Sequence, residues 1–170
     1  MPRKPRPNVA GGIYHVYARG NNRARVFVDD RDRRAYLAIL SDVVAEFGWV
    51  RLGYCLMENH VHLLIETPEP NLSRGMQRLQ CRYTQRFNRR HRRTGHLFQG
   101  RFGAVLVTSD RHLATVTSYV ARNPVEAGLC KSADSWAWTD CVEARKRCAA
   151  AAWVASHGAR GARADGRTPD

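Results

Sequence analysis

Apolar and polar residues alternate along Ile13-Tyr14-His15-Val16-Tyr17-Ala18-Arg19, the period of a β-strand, and the run stops at the turn signal Gly20-Asn21-Asn22. The period then changes. Asp29-Asp30 offers an N-cap, and Tyr36, Leu37, Leu40, Val43, Val44 and Phe47 recur at helical spacing, predicting a helix over 31–47 that Gly48 ends. Trp49 to Met57 and His60 to Thr67 read as two strands joined through Glu58-Asn59, a connection short enough for an antiparallel hairpin. After Pro68 to Pro70, Asn71 is expected to cap a second helix reaching residue 90, with Leu72, Met76, Leu79, Tyr83 and Phe87 inward. A strand is expected from Leu97 to Val107. Ser109 or Asp110 then caps a third helix, expected to end near Asn123 because the residue before Pro124 disfavours helical geometry. Beyond Gly128 the periodicity fades, except for an Ala-rich helical stretch around 140–156.

Strand, helix, strand, strand, helix, strand is the ferredoxin-like β-α-β-β-α-β order, so the fold class is α+β, an antiparallel sheet with an additional helix behind it. That fold hosts many functions and decides none. Residues 1–10, basic and proline-rich, read as a flexible arm; 11–140 as the functional domain; 141–170 as a tail, helical and then disordered over the Gly-, Ala-, Arg- and Asp-rich residues 157–170. No internal repeat is visible.

Composition narrows the partners. The 170 residues carry 28 Lys+Arg against 15 Asp+Glu, a formal net charge of +13 that is mostly arginine. Arginine's planar fork suits phosphates and stacks on bases, which favours nucleic acid over an acidic protein or a membrane surface. No apolar stretch approaches the length of a membrane span, and the charged start Met1 to Pro7 leads into no hydrophobic segment, so a cytoplasmic, nucleoid-associated protein is expected. Five cysteines without C-x-x-C spacing indicate neither a disulfide framework nor a structural zinc site.

Within the second hairpin strand, His60 and His62 are separated by one residue and therefore project from the same face, with α-carbons roughly 6.6 Å apart, so both rings can converge on one metal ion. On the third helix, taking about 100° per residue from Tyr119, Asn123 falls at about +40°, His112 at about +20° and Thr115 at about −40°, one polar stripe. The plain alternative is an amphipathic tyrosine at the core's edge and an asparagine at a helix end. Arg74, Arg78, Arg82 and Arg86 recur every four residues on the outer side of the second helix, and Arg89, Arg90, Arg92 and Arg93 follow them as a basic patch. A solvated basic face is the bland reading of both.

Five blocks, Arg19-Gly20-Asn21-Asn22, Leu56 to Leu64, Arg89 to Gly95, Phe98-Gln99-Gly100-Arg101-Phe102 and Tyr119 to Leu129, occur in an order and spacing that resembles the REP-associated tyrosine transposases. These belong to the HUH single-tyrosine transposases, which cut and join single-stranded DNA. The resemblance covers residues 12–140. It implies that His60 and His62 are metal ligands, that Tyr119 is the nucleophile and that Asn123 is a third, oxygen-donating ligand. It further implies a divalent ion, Mg²⁺ or Mn²⁺, although imidazole ligation by itself also admits Zn²⁺ or Ni²⁺. The segment after Tyr119 is Val-Ala-Arg where many relatives carry Ile-Glu-Leu, so Arg122 stands where an apolar residue is common.

The implied reaction is attack of Tyr119 on a phosphate, a 5′-phosphotyrosine with a free 3′-hydroxyl, and joining by reversal. No nucleotide cofactor is needed, in keeping with a sequence that has no P-loop. His112 and Arg122 are accessory candidates. The arginines at 74, 78, 82, 86, 89, 90, 92, 93 and 101 are expected to grip single-stranded or hairpin DNA, while aromatic residues such as Tyr83, Phe98 and Phe102 stack unpaired bases. The resemblance suggests repetitive extragenic palindromes as substrate and admits a monomer or a homodimer. The competing readings are a non-catalytic nucleic-acid-binding module on the same fold and a descendant that only binds hairpins. Gly100 to Leu106 echoes part of an RNP motif but lacks its later aromatics.

Overall fold

A computed structural model describes residues 8–158. The first strand β1 (Gly12–Arg19) leads to helix α1 (Asp30–Phe47), the hairpin β2 (Val50–Leu56) and β3 (His60–Thr67), helix α2 (Leu72–His91) and strand β4 (Gly103–Val107). Helix α3 (Asp110–Glu126), a two-residue strand β5 (Thr139–Asp140) and helix α4 (Val142–Gly158) follow within the described residues. The strands form one antiparallel sheet in the order β4-β1-β3-β2-β5, the ferredoxin-like arrangement extended by β5 at the β2 edge.

Strand alternation sorts the sheet into two faces. Tyr14, Val16 and Ala18 of β1 and Val61, Leu63 and Ile65 of β3 point toward α1 and α2, where Tyr36, Leu40, Met76, Leu79 and Tyr83 close the larger core. On the other face, Leu52, Cys55 and Leu64 meet Val116, Val120 and Ala121 of α3 and Ala144 of α4. His15, His60 and His62 therefore lie on the α3 side. Among the described residues no helix is long and apolar enough to cross a membrane.

Several expectations are corrected. The segment before β4 is not strand: Leu97, Phe98 and Phe102 are buried in the larger core, but Gly95 and Gly100 take left-handed backbone and only Phe98 bridges to Gly20, so strand pairing begins at Gly103. Helix α3 does not stop at Asn123. It runs through Pro124 to Glu126, giving up one amide donor near its end while Pro124, Ala121 and Val120 are buried. Asn71 does not cap α2 with its side chain. Its Oδ1 instead accepts from Trp49 Nε1 at 2.6 Å and its Nδ2 donates to the Phe47 carbonyl at 3.0 Å, joining α1, β2 and α2.

Asn8 and Val9 lie against the domain, through Asn8 Nδ2 to the Pro70 carbonyl at 2.7 Å and Val9 N to the Tyr14 hydroxyl at 2.6 Å. The rest of the expected arm, residues 1–7, and most of the expected disordered tail, residues 159–170, fall outside the described residues.

Gly75 shows how tightly α2 sits on Trp49. A Cβ there would lie 2.1 Å from Trp49 Cζ2, and the indole is buried and held by Asn71, so it has little freedom to withdraw. Alanine favours helix over glycine by about 1 kcal/mol, yet Gly75→Ala is expected to destabilise the fold by about 1–3 kcal/mol through overpacking. Urea unfolding measures this directly; an unchanged or raised midpoint would contradict it.

Candidate active site

Register on β1 and β3 sets the site. Arg19 lies opposite His60, Tyr17 opposite His62 and His15 opposite Leu64, so three imidazoles and a phenol share one patch of the sheet. His62 is 5% exposed, and its Nδ1 lies 2.9 Å from Nε2 of the buried His15. Its other nitrogen, Nε2, is buried with no hydrogen-bond partner. For Nε2 to offer a lone pair, Nδ1 must carry the proton and donate to His15 Nε2, so His15 both orients the ring and selects its tautomer. His60 is fixed in a comparable way: its Nδ1 lies 2.7 Å from Asn59 Oδ1, and the two site imidazoles stand at 88° with centroids 5.0 Å apart.

Helix α3 supplies the remaining groups. Ser109 accepts from the His112 amide as its N-cap, and Val116 and Val120 press the helix onto the sheet. Tyr119 is half-exposed, and its ring meets His62 edge-on at 5.6 Å and His15 at 5.9 Å. One turn later, Asn123 Nδ2 donates to the Tyr119 carbonyl at 3.0 Å. That leaves Oδ1 as the other end of the amide, and the Asn123 side chain is close enough to His60 and His62 to raise the basicity of both against the effect of burial. The structure thus gathers His60, His62, Tyr119 and Asn123 in one place.

The donor set fits a divalent cation: one buried imidazole nitrogen without a partner, a second imidazole and an amide oxygen. Among the described residues, no three His, Cys, Asp or Glu side chains group to hold a metal, so the amide is needed to complete three protein donors.

Burial keeps these imidazoles neutral. It lowers His62 to about 3, with His15 and His60 adding to the effect and Asn123 opposing it. Burial likewise brings His15 down to about 4, helped by the nearby His112, and lowers His60, with Asn123 opposing and Arg19 adding. The unfolded chain therefore takes up protons below about pH 6.5 that the folded site resists. This penalty is absent above pH 6.5, grows as the pH falls and is complete once the folded values are passed. Between pH 6.5 and 4 the metal-free protein is expected to lose a few kcal/mol of stability, on the order of one pKa unit per 1.4 kcal/mol for each buried imidazole. Denaturant titrations with chelator at several pH values, on wild type and His15→Asn, test it: the slope should be shallower in the variant, and equal slopes would contradict the assignment.

The arginines divide by position. Helix α2 starts beyond the far end of β3 and runs back along the α1 face, so Arg74 and Arg78 lie away from the histidines while Arg89 to Arg93 emerge near the His60 end. Arg78 and Arg82 are engaged with Glu46 and Asp42 of α1, and Arg90 with Asp29 and Asp32. Arg82, Arg86, Arg89 and Arg90 line a groove with Arg31 on that face. Arg101 is different: with Arg19, Gln99 and Tyr17 it lines a cavity of about 320 Å³ that contains His60 and His62. His112 accepts from the Thr108 amide at 3.3 Å and is close enough to His15 to bear on its charge, whereas Arg122 lies in the groove between α3 and α4.

Sequence reasoning missed His15 and Tyr17 as site residues. Their alternation with Ile13 and Arg19 was visible, but only the β1–β3 register reveals that they flank His62.

The family described as transposase IS200-like matches residues 8–123, which include His60, His62, Tyr119 and Asn123. A Haemophilus influenzae protein named as a REP-associated tyrosine transposase is 24% identical over 143 residues, covering 76% of this chain and 79% of that one. A solved REP-associated tyrosine transposase, bound to a REP hairpin, superposes with a TM-score of 0.69 at 16% identity, covering 82% of each chain, and shares the fold.

Proposed function

The chain belongs to the IS200-like transposase family, and from that premise we propose that it cuts and rejoins single-stranded DNA beside a hairpin through a covalent bond to Tyr119. The observation that carries this reading is His62 Nε2, buried without a partner beside His60, Asn123 and the half-exposed Tyr119. A half-exposed phenol edge-on to that imidazole can present its hydroxyl to a phosphate seated beside the three donors.

In this reading His60, His62 and Asn123 hold a divalent ion, Mg²⁺ or Mn²⁺, which when bound withdraws charge from the scissile phosphate. The Tyr119 hydroxyl attacks phosphorus, its proton passing to the solvent that reaches the exposed side of the ring. The new bond joins Tyr119 Oη to the 5′-phosphate as the bond to the 3′-oxygen breaks, and that oxygen takes up a proton to leave as a 3′-hydroxyl. Attack by a 3′-hydroxyl on the phosphotyrosine reverses the sequence and joins strands, with no nucleotide hydrolysed. His15 keeps the His62 ring in place throughout, and Arg19, opposite His60, brings a positive charge to the phosphate.

The relative solved with a REP hairpin makes a palindromic hairpin the natural substrate to test. Arg101, which lines the cavity with His60 and His62, and the basic run 89–93 at the end of α2 are the residues proposed to grip such DNA. Incubation of the protein and Mn²⁺ with a hairpin oligonucleotide carrying single-stranded flanks should yield a protein–DNA adduct stable to denaturation together with a released 3′-hydroxyl fragment. Binding with the DNA left uncut would instead establish the non-catalytic reading.

A further inference from the structure

Tyr17 is an exposed aromatic in the middle of a strand that is otherwise paired on both sides. It lies between His62 on β3 and Gly103 on β4, with His15 on the same face at a ring distance of 5.7 Å. Gly103 is the reason the ring lies where it does. A Cβ at Gly103 would sit 2.2 Å from Tyr17 Cζ, so the phenol occupies the space where a side chain would stand, resting against the backbone of β4. Gly103 has no left-handed backbone to explain it; the room it leaves is its contribution. The ring remains 45% exposed even so.

Around it the cavity is lined by Arg19, His60, His62, Gln99 and Arg101. Its volume of about 320 Å³ is at the lower end of small-ligand sites, roughly 300–1,000 Å³. An aromatic face, an amide that donates and accepts, and two guanidinium groups are what an unpaired nucleotide requires: stacking for the base, hydrogen bonds for its edge, charge for its phosphate. With the ring nearly half exposed among the described residues, its outer side is open to an inserted base.

We propose that this cavity is a nucleobase subsite, in which one unpaired base next to the scissile phosphate stacks on Tyr17 while Gln99 contacts its edge and Arg19 and Arg101 hold the adjoining phosphates. It rests on the DNA-cleaving function proposed above and adds to it a protein-borne contact with a base. The subsite is lined by His62, whose ring Tyr119 meets edge-on, so a base seated there fixes which phosphate reaches the phenol. Tyr17 acts by stacking and not by its hydroxyl.

The test uses the full chain and hairpin oligonucleotides whose single-stranded flank carries an abasic site, moved one position at a time, with equilibrium binding read by fluorescence anisotropy. Wild type should lose affinity at one position. Tyr17→Ala and Tyr17→Leu should weaken binding of intact DNA by about tenfold or more, in line with base–aromatic stacking, and should be indifferent to the abasic site at that position. Tyr17→Phe should bind as wild type. Leucine keeps apolar packing against Gly103, so it decides the matter should the alanine variant fail to fold. Wild-type affinity in Tyr17→Leu, losses that multiply with the abasic site, or a Phe variant as weak as Leu would each overturn the subsite. Because the readout is binding, a wild-type protein that forms no adduct refutes the cleavage reaction and leaves this result standing.

Discussion

Tyr119→Phe forms no denaturation-resistant adduct with hairpin DNA, and its cleavage rate falls by at least about a thousandfold, as expected when a covalent nucleophile is removed. The substitution is structurally mild. Phenylalanine preserves the edge-on contacts with His62 at 5.6 Å and His15 at 5.9 Å, and the ring is half-exposed. Thermal midpoint and DNA affinity should therefore match wild type, which confines the loss to chemistry. Other tyrosines are poor substitutes. Tyr14 is buried on the opposite face with its hydroxyl bonded to Val9, and Tyr36 and Tyr83 lie in the larger core, where burial raises both well above the ordinary phenol. Tyr17 shares the site, which makes the contrast between Tyr17→Phe and Tyr119→Phe informative: the first should retain the adduct. An adduct formed equally well by Tyr119→Phe would show that the nucleophile lies elsewhere.

Loss of either site histidine separates cutting from holding. His60→Ala and His62→Ala should reduce Mn²⁺-dependent cleavage by about a hundredfold or more, while hairpin affinity stays within about threefold and keeps its salt dependence, because counterion release from arginine–phosphate contacts dominates affinity. The two variants differ in what they cost the fold. His62 is buried and bonded to His15, so its removal leaves His15 Nε2 without a partner and should destabilise by about 1–3 kcal/mol. His60 is more exposed, and its loss should cost less, which makes it the cleaner reporter. The check pairs an electrophoretic cleavage assay with binding measured at several salt concentrations. Parallel loss of binding and cleavage in a folded His60→Ala protein would mean that the imidazole contacts DNA rather than a cation.

Much of this was legible before any coordinates. Period alone located β1, α1, β2 and β3 to within a residue, and Gly48 ends α1 in left-handed geometry as glycine at that position permits. The His60–His62 pair and the Tyr119–Asn123 stripe needed only the strand and helix periods, and the fold brings the two features together. What local pattern could not supply was pairing. Leu97 and Phe98 read as strand because they are apolar, yet they are buried by a loop that wraps the end of β1. His15 looked like any strand histidine until the register set it beside His62. Arg78 and Arg82 read as an open stripe because their partners Glu46 and Asp42 lie on a helix whose facing is a tertiary fact. Pro124 read as a stop, but burial of the last turn of α3 outweighed one missing donor.

The central claim is a covalent bond between Tyr119 and DNA. Its most direct measurement is mass-spectrometric mapping of the adduct formed with hairpin DNA and Mn²⁺, after digestion of both protein and nucleic acid. The account predicts a 5′-phosphonucleotide on Tyr119 and on no other residue, with the released strand ending in a 3′-hydroxyl. A modification on Tyr17 or elsewhere, or a 3′-phosphate linkage, would contradict it.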